Sequence, residues 1–166
     1  EQMHTEVFSH IKSTSILVMA AAPADYTSIN PHREKIKKNL DEHIEIRLKP
    51  TPDILLEVAR HGDRPLLVVG FAAETHDVRS HALTKLNKKE LDFICANEVY
   101  RDALGFGNTE SSLLVLGKQG AEHRIGPAAK SRIGEQITGL LVQAYADRCA
   151  SPDKGRTAAL LRGSGS

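Results

Sequence analysis

The alternation of continuous apolar runs with helical patterns is the feature that most constrains the fold of this chain. Three of the runs read "SILVMAAA", "PLLVVGFAAET" and "DFICANEV". A run that is apolar throughout, rather than at every second position, is typical of a strand buried on both faces. Between the second and third runs, Val78, Ala82 and Leu86 recur at helical spacing. The sequence therefore predicts an α/β fold with a Rossmann-like, mainly parallel sheet and helices on both faces.

The segments around these runs predict further helices and strands. "EQMHTEVFSHIKS" has helical spacing, and "HIEIRLK" alternates as a strand does. In "TPDILLEVARHG", we expect Thr51 as the N-cap, Pro52 at the first helical position and a helix end at Gly62. "SSLLVLGKQG" and "EHRIG" predict a C-terminal antiparallel hairpin that turns at residues 118–120. "AKSRIGEQITGLLVQAYADR" predicts a final amphipathic helix.

These patterns assign residues 1–150 to one domain and residues 151–166 to a flexible tail. The first helix has no strand before it, although helices in such folds normally connect two strands. We therefore expect the natural domain to begin earlier. Its opening βα unit, which in these folds often carries a phosphate-binding loop, is expected to be missing here.

Composition excludes several classes of protein. With 22 Lys plus Arg against 21 Asp plus Glu, the bulk charge gives no reason to expect binding to nucleic acid or to a membrane. Two cysteines in regular segments, Cys95 and Cys149, argue for a reducing compartment, here the cytoplasm, and against a disulfide framework. The eight histidines lack the spacing of a zinc site. An anion site would therefore depend on the local placement of lysines.

Candidate site residues follow the predicted strands, because ligands of open α/β sheets bind beyond the carboxyl ends of the strands. The first strand ends in small residues and Asp25. The second ends in "GFAAET", in which Gly70 allows close approach to the backbone and Phe71 could stack on a ring. The same small residues also suit helix–sheet packing, Asp25 suits a turn, and Phe71 suits a core. Two such strand ends together favour a site.

Two lysine clusters add positive charge near these strand ends. "EKIKK" contains Lys35, and "TKLNKKELD" contains Lys85 and Lys89, which are four residues apart and share a helix face. Such runs are usually solvated surface. Alternatively, the repulsion between Lys85 and Lys89 would be relieved by an anionic ligand such as a polyphosphate. The sequence contains neither G-x-G-x-x-G nor the P-loop pattern, which counts against a dinucleotide or P-loop site.

The segments "AAAPADY", "EKIKK", "KPTPDIL", "VGFAAET", "KLNKKELDFICANEV" and "GFG" occur in this order at close spacing. Together they resemble bacterial phosphopantothenoylcysteine synthetase, the synthetase half of the bifunctional coenzyme A biosynthesis flavoprotein. The resemblance implies a CTP-dependent ligase that joins 4'-phosphopantothenate to L-cysteine through an acyl-cytidylate. It also implies Mg²⁺, a homodimer, and FMN only in the decarboxylase half, which is not part of these residues.

The resemblance also implies roles for individual residues. Lys35, the first lysine of "KIKK", matches the catalytic lysine near the reacting phosphates, on a loop that would cover the site. The residues expected to contact the nucleotide are Met19, Ala20, Ala21, Asp25, Gly70, Phe71, Ala72, Lys85 and Lys89. Within this set, Asp25 is also the expected metal ligand, and the stretch from Gly70 to Ala72 would recognise the cytosine, largely through backbone groups.

Departures from the family pattern leave alternatives open. Pro23 stands where the family usually has valine, and it removes one backbone N–H donor just before Asp25. The opening glycine-rich segment and the N-x-S-S-G stretch of the family are absent from these residues. A nucleotide-binding and dimerisation fragment without turnover of its own is therefore the alternative function. An unrelated α/β binding or oxidoreductase domain is a third, disfavoured by the missing dinucleotide pattern.

Overall fold

A five-stranded mixed sheet and a separate two-stranded sheet form the framework of the computed structural model, which describes residues 1–32, 34–35, 45–74, 76–98 and 110–150. The helices are α1 (Gln2–His10), α2 (Ile54–Arg60), α3 (Val78–Lys88) and α4 (Lys130–Ala150), and a short 3₁₀ turn, Ile11–Ser13, follows α1. The strands are β1 (Ile16–Met19), β2 (Tyr26–Ser28), β3 (Leu48–Pro50), β4 (Leu67–Glu74), β5 (Phe93–Glu98), β6 (Glu110–Gly117) and β7 (Glu122–Ala129).

The strand order of the main sheet is β1-β4-β5-β6-β7. β1 pairs in parallel with β4, and β4 with β5, whereas β6 is antiparallel to both of its neighbours. Four of the five strands thus run in one direction, and β6 alone opposes them. The predicted α/β class, the mainly parallel strand direction and the C-terminal hairpin are confirmed.

Helices cover both faces of this sheet, as predicted. On one face, Val68, Ile94 and Leu114 pack with buried residues of α2 and α3, including Ala82 and Leu86. On the other face, the alternate strand residues pack against one side of α4; these are Val69, Cys95, Leu113, Val115 and Ile125 from the strands and Ile133, Ile137 and Leu141 from the helix. Neighbouring strand residues therefore serve opposite cores, which is why the strands read as continuous apolar runs.

Two strand predictions were wrong in detail. β1 ends at Met19 rather than running through the alanines, and Val18 is 43% exposed rather than buried on both faces. The reason is that β1 lies at the margin of the described sheet, with β4 as its neighbour on one side. β3 begins only at Leu48 and pairs antiparallel with β2, outside the main sheet; the beginning of the predicted strand, residues 43–44, lies outside the described residues.

The predicted N-cap of α2 was also wrong. Asp53, not Thr51, is the N-cap, and its carboxylate accepts a hydrogen bond from the Leu56 N–H at 3.3 Å. Thr51 instead donates its hydroxyl to the Ala24 carbonyl at 2.6 Å. Aspartate is the stronger N-cap of the two, and the Thr51 hydroxyl is engaged by a tertiary hydrogen bond. The helix ends at Arg60, close to the expected end at Gly62.

Asp92 is a buried carboxylate that the sequence did not reveal. It connects Arg64, which precedes β4, with Arg148 in α4. Asp92, just before β5, is 4% exposed. Its Oδ2 accepts from Arg64 Nη2 at 2.6 Å and from the Val68 N–H at 2.7 Å, and its Oδ1 lies 2.7 Å from Arg148 Nη2 near the end of α4. Arg148 also donates to the Leu66 carbonyl at 2.6 Å. The network therefore attaches the end of α4 to the residues that immediately precede β4 and β5.

Several predictions fall outside the described residues. These are the flexible tail at residues 151–166, the "GFG" loop at residues 105–107, and the second and third lysines of "KIKK". Among the described residues, none of the helices is long and apolar enough to cross a membrane.

Candidate functional site

A cavity of about 350 Å³ lies where the start of α2 and the end of α3 meet the main sheet. Its volume is at the lower end of the roughly 300–1,000 Å³ that small-molecule sites occupy. The lining residues are of two kinds: five are apolar or glycine (Leu55, Gly70, Phe71, Leu91 and Ile94) and five are charged (Asp25, Asp53, Lys85, Lys88 and Lys89). The cavity can therefore accept an apolar or aromatic group together with an anion.

The cavity lies beside the point at which β4 extends past the end of β1. Met19, its last residue, pairs with Gly70 in the middle of β4, and the chain then leaves the sheet. The second half of β4 extends beyond the end of β1, and Asp25 and Phe71 line the opening. The site is thus level with the carboxyl end of β1, as expected for an open α/β sheet.

Half of the predicted site residues line this cavity: Asp25, Gly70, Phe71, Lys85 and Lys89. The other half do not. Met19 is buried in the core, Ala72 packs against the same core, and Ala20, Ala21 and Lys35 are exposed outside the lining. The structure therefore brings the predicted strand-end residues and the two predicted α3 lysines to one cavity. The roles of the remaining residues stay predictions.

The two predicted lysines are each held by a carboxylate. Lys85 Nζ donates to Glu74 Oε1 at 2.6 Å, and Lys89 Nζ lies 3.1 Å from the Asp53 carboxylate. Repulsion between Lys85 and Lys89, expected from their spacing, is thus already offset in the folded chain. An ammonium has three donors, so each lysine can hold its carboxylate and still donate to a ligand. The pairs place both ammonium groups at the cavity before a ligand binds.

Glu74 has the clearest electrostatic perturbation at this site. The hydrogen bond from Lys85 lowers the pKa of the Glu74 carboxyl below its ordinary value, with a further contribution from His81, while burial acts in the opposite direction. The side chain of Glu74 is 12% exposed. Glu74 therefore acts as the charged anchor of Lys85 rather than as a free acid at the strand end.

Gly70 is required by packing as well as by access. A Cβ at this position would lie 2.8 Å from Leu91 Cδ1 and 3.2 Å from Leu55 Cδ1. Both leucines line the cavity, so a side chain at residue 70 would displace part of the cavity lining. Gly70 therefore serves both predicted purposes, because the leucines that pack closely against it also line the cavity.

Two carboxylates of the cavity, Asp25 and Asp53, could contribute to binding the predicted Mg²⁺. Among the described residues, no group of three or more His, Cys, Asp or Glu side chains could hold a metal ion by itself. Mg²⁺, however, is usually held by one or two carboxylates together with phosphate oxygens of the substrate. Asp25 and Asp53 line the same cavity and would meet that requirement alongside a bound polyphosphate.

Sequence reasoning missed several residues of the site. Asp53 and Lys88 line the cavity, and Thr51 holds the backbone beside it through the Ala24 carbonyl. The available signal for Asp53 was the "TPD" triplet before a helix, since aspartate is a stronger N-cap than threonine. Leu55, Leu91 and Ile94 carry no local signal, because their role depends on how helices and strands pack.

Family comparison decides what kind of chain this is. Residues 1–145 match the model of the family described as "DNA/pantothenate metabolism flavoprotein C-terminal domain". The chain belongs to this family. It is 35% identical over 141 residues to the coenzyme A biosynthesis bifunctional protein CoaBC of Vibrio cholerae, covering 84% of the chain and 35% of that protein. It is 34% identical over 149 residues to the CoaBC of Escherichia coli K12, covering 89% of the chain and 36% of that protein.

Solved structures agree with this assignment. The C-terminal domain of a coenzyme A biosynthesis bifunctional protein CoaBC superposes with a TM-score of 0.69 at 25% identity, covering 88% of this chain and 62% of that one. A Cab2 H337A mutant in complex with phosphopantothenate-cysteine superposes with a TM-score of 0.65 at 16% identity, covering 90% of this chain and 51% of that one, and supports the fold alone. The chain spans about a third of the length of the curated relatives named above.

Proposed function

We propose that this chain is part of a ligase of coenzyme A biosynthesis that joins 4'-phosphopantothenate to L-cysteine with CTP. The observation that carries the proposal is the cavity, which combines Phe71 and Gly70 with Lys85, Lys88 and Lys89 in a chain of this family. The CoaBC names of its relatives, proteins of coenzyme A biosynthesis, support the same substrate class.

In the proposed reaction, the phosphopantothenate carboxylate attacks the α-phosphorus of CTP and pyrophosphate leaves. The cysteine amine then attacks the acyl carbon of the acyl-cytidylate, losing a proton as CMP departs. Lys85, Lys88 and Lys89 would bind the phosphates as point charges, in a cavity whose donors are already oriented. Mg²⁺, held by Asp25 and phosphate oxygens, would neutralise charge that develops on the triphosphate.

The proposal assigns different tasks to the predicted site residues. Lys35 is the proposed catalytic lysine, and the segment that carries it would cover the phosphates. Met19, Ala20, Ala21 and Ala72 would contact the nucleotide when the complete site is assembled. The stretch from Gly70 to Ala72 would recognise cytosine through backbone groups, and the parent protein is proposed to act as a homodimer.

The experiment is pyrophosphate release by the full-length parent protein. We expect release with CTP, Mg²⁺ and 4'-phosphopantothenate together, and less when ATP replaces CTP. Lys35→Ala should reduce turnover far more than Lys38→Ala, its neighbour in the same cluster. No pyrophosphate with the complete mixture would refute the ligase, and equal losses in the two variants would mean that the cluster acts as bulk charge.

A nucleotide-binding and dimerisation fragment without turnover remains the second candidate for the isolated chain. It is favoured by the span of the chain, about a third of its relatives' length. Calorimetry of this chain with CTP and Mg²⁺ separates the possibilities. Heat of binding without pyrophosphate release identifies a binding fragment, and no heat at millimolar CTP excludes nucleotide binding by the isolated chain.

A further inference from the structure

The connection between β3 and α2, residues 51–53, is hydrogen-bonded to two of the residues that line the cavity. At its first end, the Thr51 hydroxyl donates to the Ala24 carbonyl at 2.6 Å, and the Thr51 N–H donates to the Asp25 carbonyl at 2.9 Å. At its other end, Asp53 caps α2 and holds Lys89. Asp25 and Lys89 both line the cavity, so one short connection is bonded to the ammonium group of one lining residue and to the backbone carbonyl of another.

The connection is stiff. Pro50 and Pro52 flank Thr51, so the backbone φ on either side is fixed, and a residue before proline is restricted to extended conformations. Pro50 is also paired with Tyr26, the residue after Asp25, through the β2–β3 ladder. Thr51 therefore cannot follow a displaced Ala24 carbonyl without disturbing its neighbours. It acts as a fixed point against which the chain leaving β1 is aligned.

We propose that Thr51 is a positioning residue for the nucleotide site, which orients Asp25 through the carbonyls of Ala24 and Asp25. The inference rests on the proposed function, because it assumes that the cavity binds a polyphosphate with Mg²⁺. Thr51 itself does not line the cavity. Its effect is indirect: two hydrogen bonds hold the turn before β2, and that turn determines where the Asp25 carboxylate meets the ligand.

Substitution of the hydroxyl tests this role. Thr51→Val removes the bond to Ala24 but keeps the side-chain shape and the backbone N–H, whereas Thr51→Ser keeps the hydroxyl. Thr138→Val is the matched control, because its hydroxyl also donates to a backbone carbonyl, that of Gly134 at 2.8 Å, in α4 outside the cavity lining. We expect Thr51→Val to weaken Mg²⁺–CTP binding about 3- to 10-fold, as expected for one hydrogen bond.

Calorimetry on the full 166-residue chain gives the readout. Thr51→Ser should rescue the affinity to within about twofold, and Thr138→Val should not change it. Equal affinity of Thr51→Val and the unsubstituted chain would overturn the role, as would an equal loss in Thr51→Ser. If Thr51→Val fails to fold, hydrogen exchange of the Thr51 amide in the unsubstituted chain replaces it: CTP should slow that exchange, and an unchanged rate overturns the proposal.

Inorganic tripolyphosphate with Mg²⁺, titrated in parallel, separates this inference from the proposed function. If the chain binds tripolyphosphate but not CTP, the nucleotide assignment is wrong, and the comparison of Thr51 variants is made on tripolyphosphate. If the chain binds neither, both the assignment and the positioning role are overturned. A loss in Thr51→Val on either ligand, with rescue by Thr51→Ser, supports the positioning role.

Discussion

Asp92 offers the sharpest stability prediction, because its carboxylate is 4% exposed and accepts from two arginines and one backbone N–H. Asp92→Asn keeps the volume but removes the charge, and its amide N–H₂ faces an arginine donor on one side. Removing one member of a buried ion pair costs about 3–5 kcal/mol. Arg64 and Arg148 are 15% and 35% exposed and keep bonds to carbonyl oxygens. We therefore expect a loss of about 2–4 kcal/mol.

Urea denaturation at 25 °C, followed by circular dichroism, measures this loss. For a chain of this length, each kcal/mol corresponds to a fall in Tm of about 2–4 °C. Glu135→Gln is the matched control, since it removes the carboxylate of an exposed pair with Arg132 at 2.8 Å. An exposed pair contributes about 0–1 kcal/mol. If Asp92→Asn costs no more than Glu135→Gln, the buried network does not stabilise the fold and the reasoning is wrong.

Two further predictions concern titrating groups. The pKa of the Glu74 carboxyl is lowered in the folded state, so its contribution to stability is present above its ordinary pKa of 4.5 and disappears as pH falls through the folded value. Glu74→Gln should therefore flatten the dependence of Tm on pH below pH 5, and parallel curves would contradict this. Burial raises the pKa of the Cys95 thiol to about 12, whereas Cys149 is exposed. A thiol reagent should modify one cysteine in the native chain and two in urea; two rapid reactions would contradict the burial.

The sequence predicted the elements whose patterns are local. The continuous runs became β4 and β5, and the helical face of α3 buries Ala82 and Leu86 as expected. Each of these follows from side-chain periodicity, which neighbouring residues carry by themselves. The hairpin of β6 and β7 was predictable for the same reason, because its turn and its two strands are contiguous.

The remaining features depend on contacts between distant residues. Asp92 reaches Arg64 and Arg148, which lie 28 positions before it and 56 positions after it. No local pattern distinguishes it from a surface aspartate. Thr51 bonds to the Ala24 carbonyl, 27 positions away, and Asp53 caps α2 instead. Five of the ten predicted site residues line the cavity, whereas Met19 and Ala72 pack with the core, because the packing of the sheet determines which strand residues face the cavity.

The position of Arg148 has a practical consequence for choosing the limits of the folded unit. The family match ends at residue 145, but Arg148, three residues further along α4, donates to Asp92 and to the Leu66 carbonyl. A chain shortened to end at residue 145 would lose one of the two arginines that neutralise a buried charge 53 positions upstream of the cut. The family match thus ends before a residue that the buried carboxylate needs, and only the longer limit keeps that carboxylate neutralised from both sides.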